Sequence, residues 1–476
     1  MIERVEVISG ATAVYGAGAT GGVINIITKR GADQATRFNT ELGLTLNTEN
    51  TDADGFTRFG SQTVSGLVGD VDYLVNVSYE QRGDFYDSEG EQIATDPNQV
   101  SRDNSNTLDI LANIGWQLDA TRSFRLSLEH FRERQNTDDA ADFGAPSPAY
   151  LGLPEGIFAA GGDYRPRPQP GLDLNQQPES TRDSITLDFS DQDFFDHTLL
   201  AQLSYRENEY FFYPYPSQPL FLDISWAGVA GALQGGAPLQ TAVTTNINGA
   251  TGTLFQSQVN TEVVDFKLAL DKHLALDDQR SLDLTYGLDY IHDNSEQRSI
   301  EYDYTQWVAS GQVDYRPTGD IYDAGPATTT QTSALFLQGK LALDEHWTLK
   351  AGVRYEHADV EADDTVSGVD VANAEFYQQE LQDPTLAAIA TQLAMTPEMF
   401  LATVTNQLAT GFGYQSFLTY SDTAARREGG EESYAETLFN AGVVYAFNPN
   451  QEAFLNYSEG FDVPDLTRLL RSVTVL

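Results

Sequence analysis

Apolar and polar residues alternate with a period of two along most of the chain, the spacing that sends successive side chains to opposite faces of a β-strand. Tyr73, Val75, Val77 and Tyr79 share one face of such a segment, and Asn76, Ser78 and Glu80 share the other. The alternation recurs from Leu108 to Leu118, Phe124 to Leu128, Ile185 to Phe189, Leu199 to Tyr205, Val264 to Leu270 and Leu282 to Tyr290. It returns at Leu335 to Leu343, Trp347 to Tyr355, Phe439 to Phe447 and Ala453 to Tyr457, and residues 37 to 46 and 57 to 68 supply one more pair. The pattern predicts about 13 strands of the length, about 9 to 11 residues, that a tilted strand needs to cross a bilayer.

The connections alternate as well. Short turns fall near residues 69 to 71, 119 to 122, 191 to 196, 273 to 280, 344 to 346 and 448 to 451. Long links fall near 47 to 56, 82 to 105, 134 to 182, 212 to 260, 292 to 329 and 358 to 433. Turns sorted to one side and long loops to the other are expected of an outer-membrane barrel, and a soluble sandwich would not sort them so. Tyr79, Tyr205, Tyr290, Tyr355 and Phe447, at strand ends, suit aromatic girdles at the membrane interfaces. The predicted fold is all-β, a partial transmembrane antiparallel barrel of 13 to 14 strands over residues 35–476, preceded by a separate segment, 1–34.

Two loop features stand out. In the longest loop Pro384 opens an apolar-periodic stretch with Leu386, Ile389, Ala390 and Leu393, and Thr396-Pro397 opens a second with Phe400, Leu401, Val404 and Leu408. Both are expected to be helices that bury their apolar faces against each other and the barrel mouth. The aromatics Tyr210, Phe211, Phe212, Tyr213 and Tyr215, with Tyr302, Tyr304 and Trp307, are candidate ligand contacts at the loop rim; loop packing is the alternative. Lys350, Arg354 and Glu356 sit on the strand face opposite Trp347, Leu349 and Val353, as charges lining a polar lumen would, with structural pairing the simplest role.

Composition narrows the function. A formal charge of −43 over 476 residues disfavours nucleic acid, whose phosphates would repel the chain. There is no Cys, so disulfides and thiolate metal sites are excluded. The six His lack zinc-ligand spacing, and Asn50, Asp52, Asp54 and Gly55 imitate a calcium loop whose twelfth position is Ser61 rather than Glu. No nucleophile elbow or kinase signature is present, and no cofactor or enzymatic activity is expected. Gly16-Ala17-Gly18-Ala19-Thr20-Gly21 spells a dinucleotide fingerprint, but β-branched Val23, Ile24, Ile26 and Ile27 follow it, so the helix that would hold a pyrophosphate is missing.

That same N-terminal stretch carries a resemblance. Val5, Glu6, Val7, Gly10, Tyr15, Gly16, Gly21, Gly22, Val23 and Asn25, in VEVISGATAVYGAGATGGVINIITK, are similar in order and spacing to the last plug segment of the TonB-dependent outer-membrane receptors. Where that family usually has Arg-Gly-Pro, this chain has Ser9-Gly10-Ala11, which resembles the ferric-hydroxamate and ferric-aerobactin branch. AGVRYEH at 351–357 and NYSEGFDVPDLTRLLR at 456–471 resemble further elements of the same family. The resemblance implies capture of a ferric siderophore at the extracellular loops and its release to the periplasm when the energy-coupling protein TonB acts on the plug. It also implies the bacterial outer membrane as location and outer-membrane lipid as surroundings. A TonB box, the earlier plug and the closing strands of a 22-strand barrel are not found, so a fragment with two free sheet edges is expected. Cobalamin or oligosaccharide uptake and a passive porin-type channel are the alternatives.

Overall fold

The computed structural model describes residues 2–9, 13–14, 22–31, 36–96, 103–144, 165–412, 426–449 and 451–464. Strands dominate. An N-terminal hairpin comprises β1 (Ile2–Ser9) and β2 (Gly22–Thr28). There follow β3 (Arg37–Thr45), β4 (Thr57–Val68), β5 (Val71–Gln81), β6 (Ser105–Gln117) and β7 (Arg122–Gln135). After the two-residue β8 (Asp139–Ala140) and β9 (Gln169–Pro170) come β10 (Glu179–Phe194), β11 (His197–Phe211) and β12 (Tyr215–Ile224). Next are β13 (Ile247–Ala275), β14 (Ser281–Tyr302), β15 (Pro317–Asp323), β16 (Thr328–Ala342) and β17 (Trp347–Ala362). The short β18 (Thr365–Val366) and β19 (Arg426–Arg427) precede β20 (Gly430–Asn448) and β21 (Gln451–Ser458).

Thirteen of these form one antiparallel wall in the order β21-β20-β17-β16-β14-β13-β11-β10-β7-β6-β5-β4-β3. They correspond one for one to the alternating segments of the sequence. Strands β12 and β15 join the wall off this path, on β13 and β14. β3 and β21 end the path without pairing to each other, so the wall is open, as the strand count predicts. Hairpin β1–β2 is a sheet of its own outside the wall.

Burial runs opposite to that of a soluble protein. Outward apolar residues lie exposed, Leu335 at 61% and Tyr355 at 48%, while on the other face of the same strands Phe336 is 4% and Arg354 2% exposed. An apolar exterior around a polar interior is the arrangement a lipid-facing barrel wall requires. No helix among the described residues is long and apolar enough to cross a membrane.

The long-loop side is more ordered than the sequence suggests. The expected loop 212–260 contains β12, helices Trp226–Gln234 and Leu239–Thr244, and the start of β13. The loop 292–329 contains the end of β14, helix Tyr304–Ala309 and β15. Helices Pro384–Gln392 and Pro397–Phe412 fall where capping residues place them; Asp383 accepts bonds from the Thr385 and Leu386 amides, 2.6 and 3.2 Å. A third helix, Gly368–Leu381, precedes them. Leu386, Ile389, Phe400, Leu401 and Val404 pack not only on each other but on Trp226, Val229 and Leu222, forming a helical core on the long-loop side; the Leu408 side chain lies outside the described residues. The calcium-loop mimic is a turn, with Asn50 Oδ1 accepting the Asp52 amide at 2.9 Å.

Candidate functional site

The inward face of the wall holds a buried ionic group around Arg354. Strand alternation turns Arg354 and Glu356 of β17 and Asp289 of β14 to the same side, where they are 2%, 0% and 7% exposed. Arg354 Nη1 donates to Asp289 Oδ2 at 2.6 Å and Nε to Glu356 Oε2 at 2.7 Å. Charges so deeply buried are tolerated only when paired and hydrogen-bonded. Beside them Lys267 Nζ stands 3.8 Å from Asp289 Oδ1 and 5.5 Å over the Phe336 ring.

Both cations also reach the N-terminal segment. Lys267 Nζ donates to the Val14 carbonyl at 2.7 Å, and Arg354 Nη1 to the Ala13 carbonyl at 3.4 Å. Ala13 is 4% exposed and packs on Ala269 and Phe336. Gly352 makes the approach possible. A Cβ there would lie 3.0 Å from the Ala13 Cβ and 2.2 Å from Asn440 Oδ1. Further along, Asn113 Nδ2 donates to Thr28 Oγ1 (3.3 Å) and to the Lys29 carbonyl (3.1 Å). The Gly31 amide donates to Asp72 Oδ1 (3.2 Å), a carboxylate itself held by both terminal nitrogens of Arg125. The wall therefore grips the segment at three places, mostly through its backbone. Between hairpin and wall lies a cavity of 1260 Å³, bordered by Arg30, Asp72, Arg125, Lys267, Asp271 and Lys350.

Of the three charges singled out from sequence, Arg354 and Glu356 come together, while Lys350 stands apart on the cavity wall. Within the motif, Glu6 Oε1 accepts from Arg4 at 2.7 Å and Oε2 from Asn25 at 3.3 Å, across the register pair Glu6–Asn25. Val5, Val7 and Val23 pair with Ile26, Ile24 and Ile8, and Gly22 pairs with Ser9. Gly10, Tyr15, Gly16 and Gly21 lie outside the described residues. Sequence reasoning missed Lys267, Asp289, Asp72, Arg125 and Asn113. Their signal was present, since each is a polar residue on the non-apolar parity of a strand, but parity alone does not say which lumen groups meet.

The structure buries four of the eight rim aromatics. Tyr213, Tyr302, Tyr304 and Trp307 are 1%, 4%, 6% and 0% exposed and pack with Phe143, Leu174 and Tyr315 into a closed loop core, with Tyr215 against its edge. Phe143 meets Trp307 edge-on at 5.5 Å, and Tyr213 meets Tyr315 edge-on at 5.7 Å. Burial pushes the Tyr213 phenol up to about 12. Such rings hold loops together and offer no surface to a ligand in this conformation. Tyr210 remains partly exposed, stacked on Phe212, and Phe211 ends β11 opposite Gln258. Among the described residues no group of three or more His, Asp or Glu is placed to hold a metal ion.

Residues 115–474 match the family described as TonB dependent receptor-like, beta-barrel. The chain belongs to the TonB-dependent receptor family. TonB-dependent receptors are β-barrel proteins of the bacterial outer membrane. The rhizobactin receptor of Rhizobium meliloti (strain 1021) is 27% identical over 467 residues, covering 98% of this chain and 51% of the relative. The ferric aerobactin receptor of Klebsiella pneumoniae is 27% identical over 470 residues, with the same coverage. The chain thus spans about half the length of the curated relatives it matches. In fold it resembles the open form of the ferric-catecholate import receptor Fiu from E. coli K12, with a TM-score of 0.55 at 14% identity over 97% of this chain and 60% of that one.

Proposed function

We propose that these residues belong to a receptor for active uptake of a ferric siderophore, with residues 1–34 the end of its plug domain and residues 35–476 part of its barrel wall. The observation that carries this reading is the lumen grip on the N-terminal segment: a passive channel needs no polypeptide held inside it. Wall cations fastened to backbone carbonyls form a joint that a mechanical pull can break, since each bond is modest and exchangeable with water. The receptor takes its chelate at the long-loop side and passes it to the periplasm when TonB draws on the plug; no chemistry is done on the chelate. The named relatives are receptors for rhizobactin and ferric aerobactin, and chelates of that kind are the first candidates to test. The test is growth of an iron-starved, receptor-deficient bacterium expressing the whole receptor, with ferric aerobactin as sole iron source. Growth that requires TonB supports the reading, and equal growth without TonB overturns it.

A further inference from the structure

We infer that Lys340 and Lys350 form an anion subsite at the short-turn end of the lumen, which receives a carboxylate-bearing chelate on its way out; the inference rests on the uptake reading above. The chain has five lysines in 476 residues and a net charge of −43. Two of the five stand directly opposite each other, as register partners on β16 and β17. Like charges so placed destabilise a sheet unless something of opposite sign comes between them. Alternation puts Lys340 on the inward face with Phe336 and Gln338, and Lys350 with Arg354 and Glu356.

Lys267 has Asp289 and Lys272 has Asp196, yet among the described residues Lys340 and Lys350 have neither an ion pair nor a hydrogen bond. Asp283, opposite Lys340 on β14, is engaged by His273 Nδ1 at 2.6 Å. Opposite Lys350 on β20 is Gly442, with no side chain to offer. A Cβ at Gly442 would fall 2.4 Å from Asn456 Oδ1, so the Asn456 amide lies over that bare stretch of backbone. Lys350, Gln338, Gly442 and Asn456 border the 1260 Å³ cavity, and Arg30 faces it from the hairpin side. Two ammonium groups on long flexible arms beside an amide suit a ligand with two or more carboxylates, each ammonium donating charge-assisted bonds. Asp188 and Asp271 line the same cavity, so an anion leaving through it needs Lys350 to offset the repulsion, with Lys340 beside it as its register partner just beyond the lining.

Citrate is the probe and acetate at matched ionic strength the control. The five lysines, dimethylated with ¹³C so that they keep their charge, each give a methyl signal in detergent micelles. The expected result is a saturable shift of the Lys340 and Lys350 signals with citrate, with Lys29, Lys267 and Lys272 unmoved. Lys350→Met or Lys340→Met should weaken citrate binding at least tenfold. A response equal to that of acetate, or one spread over all five lysines, overturns the subsite. That outcome leaves the uptake reading standing, because that reading is tested separately by TonB-dependent growth.

Discussion

Arg354 on β17 and Asp289 on β14 meet at 2.6 Å although β16 runs between their strands. The reach is possible because Ala334 is the register partner of both Asp289 and Glu356, and its methyl group leaves room above the sheet. One guanidinium thus ties β17 to β14 across β16 before it reaches the Ala13 carbonyl. Arg354→Gln strands the buried Glu356 carboxylate and leaves Asp289 only Lys267 at 3.8 Å, and should cost about 3 to 5 kcal/mol, the usual penalty for breaking a buried ion pair from one side. Faster hydrogen exchange at Val5 and Val7, with the wall strands distant from β17 unchanged, is the expected readout. Lys267→Met, at a side chain 28% exposed, should cost less.

Gly352→Ala separates the grip from the charges. Its added methyl group would meet Ala13 and Asn440 while every ion pair stays in place. Overpacking of this kind costs about 1 to 3 kcal/mol. Limited proteolysis should cut the N-terminal hairpin sooner in this variant, with the unfolding midpoint of the wall little altered; hairpin protection equal to that of the parent would show that Ala13 does not need the close approach.

A pH effect should appear at the loop side. Asp103 is 3% exposed, and burial raises its carboxyl from 3.8 to about 6, with Asp84 and Asp139 pushing the same way against the Gln135 bond. A raised carboxyl binds its proton more tightly in the fold than out of it, so stability falls as pH climbs from about 4 to about 6 and stays low above. Asp103→Asn, which keeps an acceptor for Gln135 Nε2 at 3.0 Å, should raise the melting temperature at pH 7 and match the parent at pH 4. An unchanged difference at both values would remove Asp103 as the source.

Trp307→Ala removes the largest ring of the closed aromatic core and should destabilise the loops by about 3 to 5 kcal/mol. Near-ultraviolet circular dichroism should lose intensity while the far-ultraviolet strand signal persists, because the wall does not depend on that core.

The wall was legible because lipid on one side and a polar lumen on the other impose strict alternation, so Leu335 and Phe336 differ in surroundings although both are apolar. Legibility faded where strands rise beyond the bilayer. The first half of β13, from Ile247 to Glu262, reads as irregular because neighbours on opposite faces, Leu254 and Phe255, are both buried and the period loses its contrast. Pro384 and Thr396-Pro397 announced two helices through their caps. Trp226–Gln234, rich in Gly and Ala with no charged face, announced nothing, although Ser225 caps it by accepting the Gly228 amide. The motif residues of the hairpin were recognisable, but the wall residues that hold the N-terminal segment lie 41 to 341 positions away, as Gly31–Asp72 and Arg354–Ala13 illustrate, and no local pattern encodes such meetings.

Apart from β12 on β13 and β15 on β14, the wall is a meander in which each strand bonds only to the strands before and after it along the wall path. Adding or deleting one hairpin therefore disturbs a single seam and leaves every other pairing intact. Circumference becomes a quantity that gene duplication can change two strands at a time, without inventing a new topology.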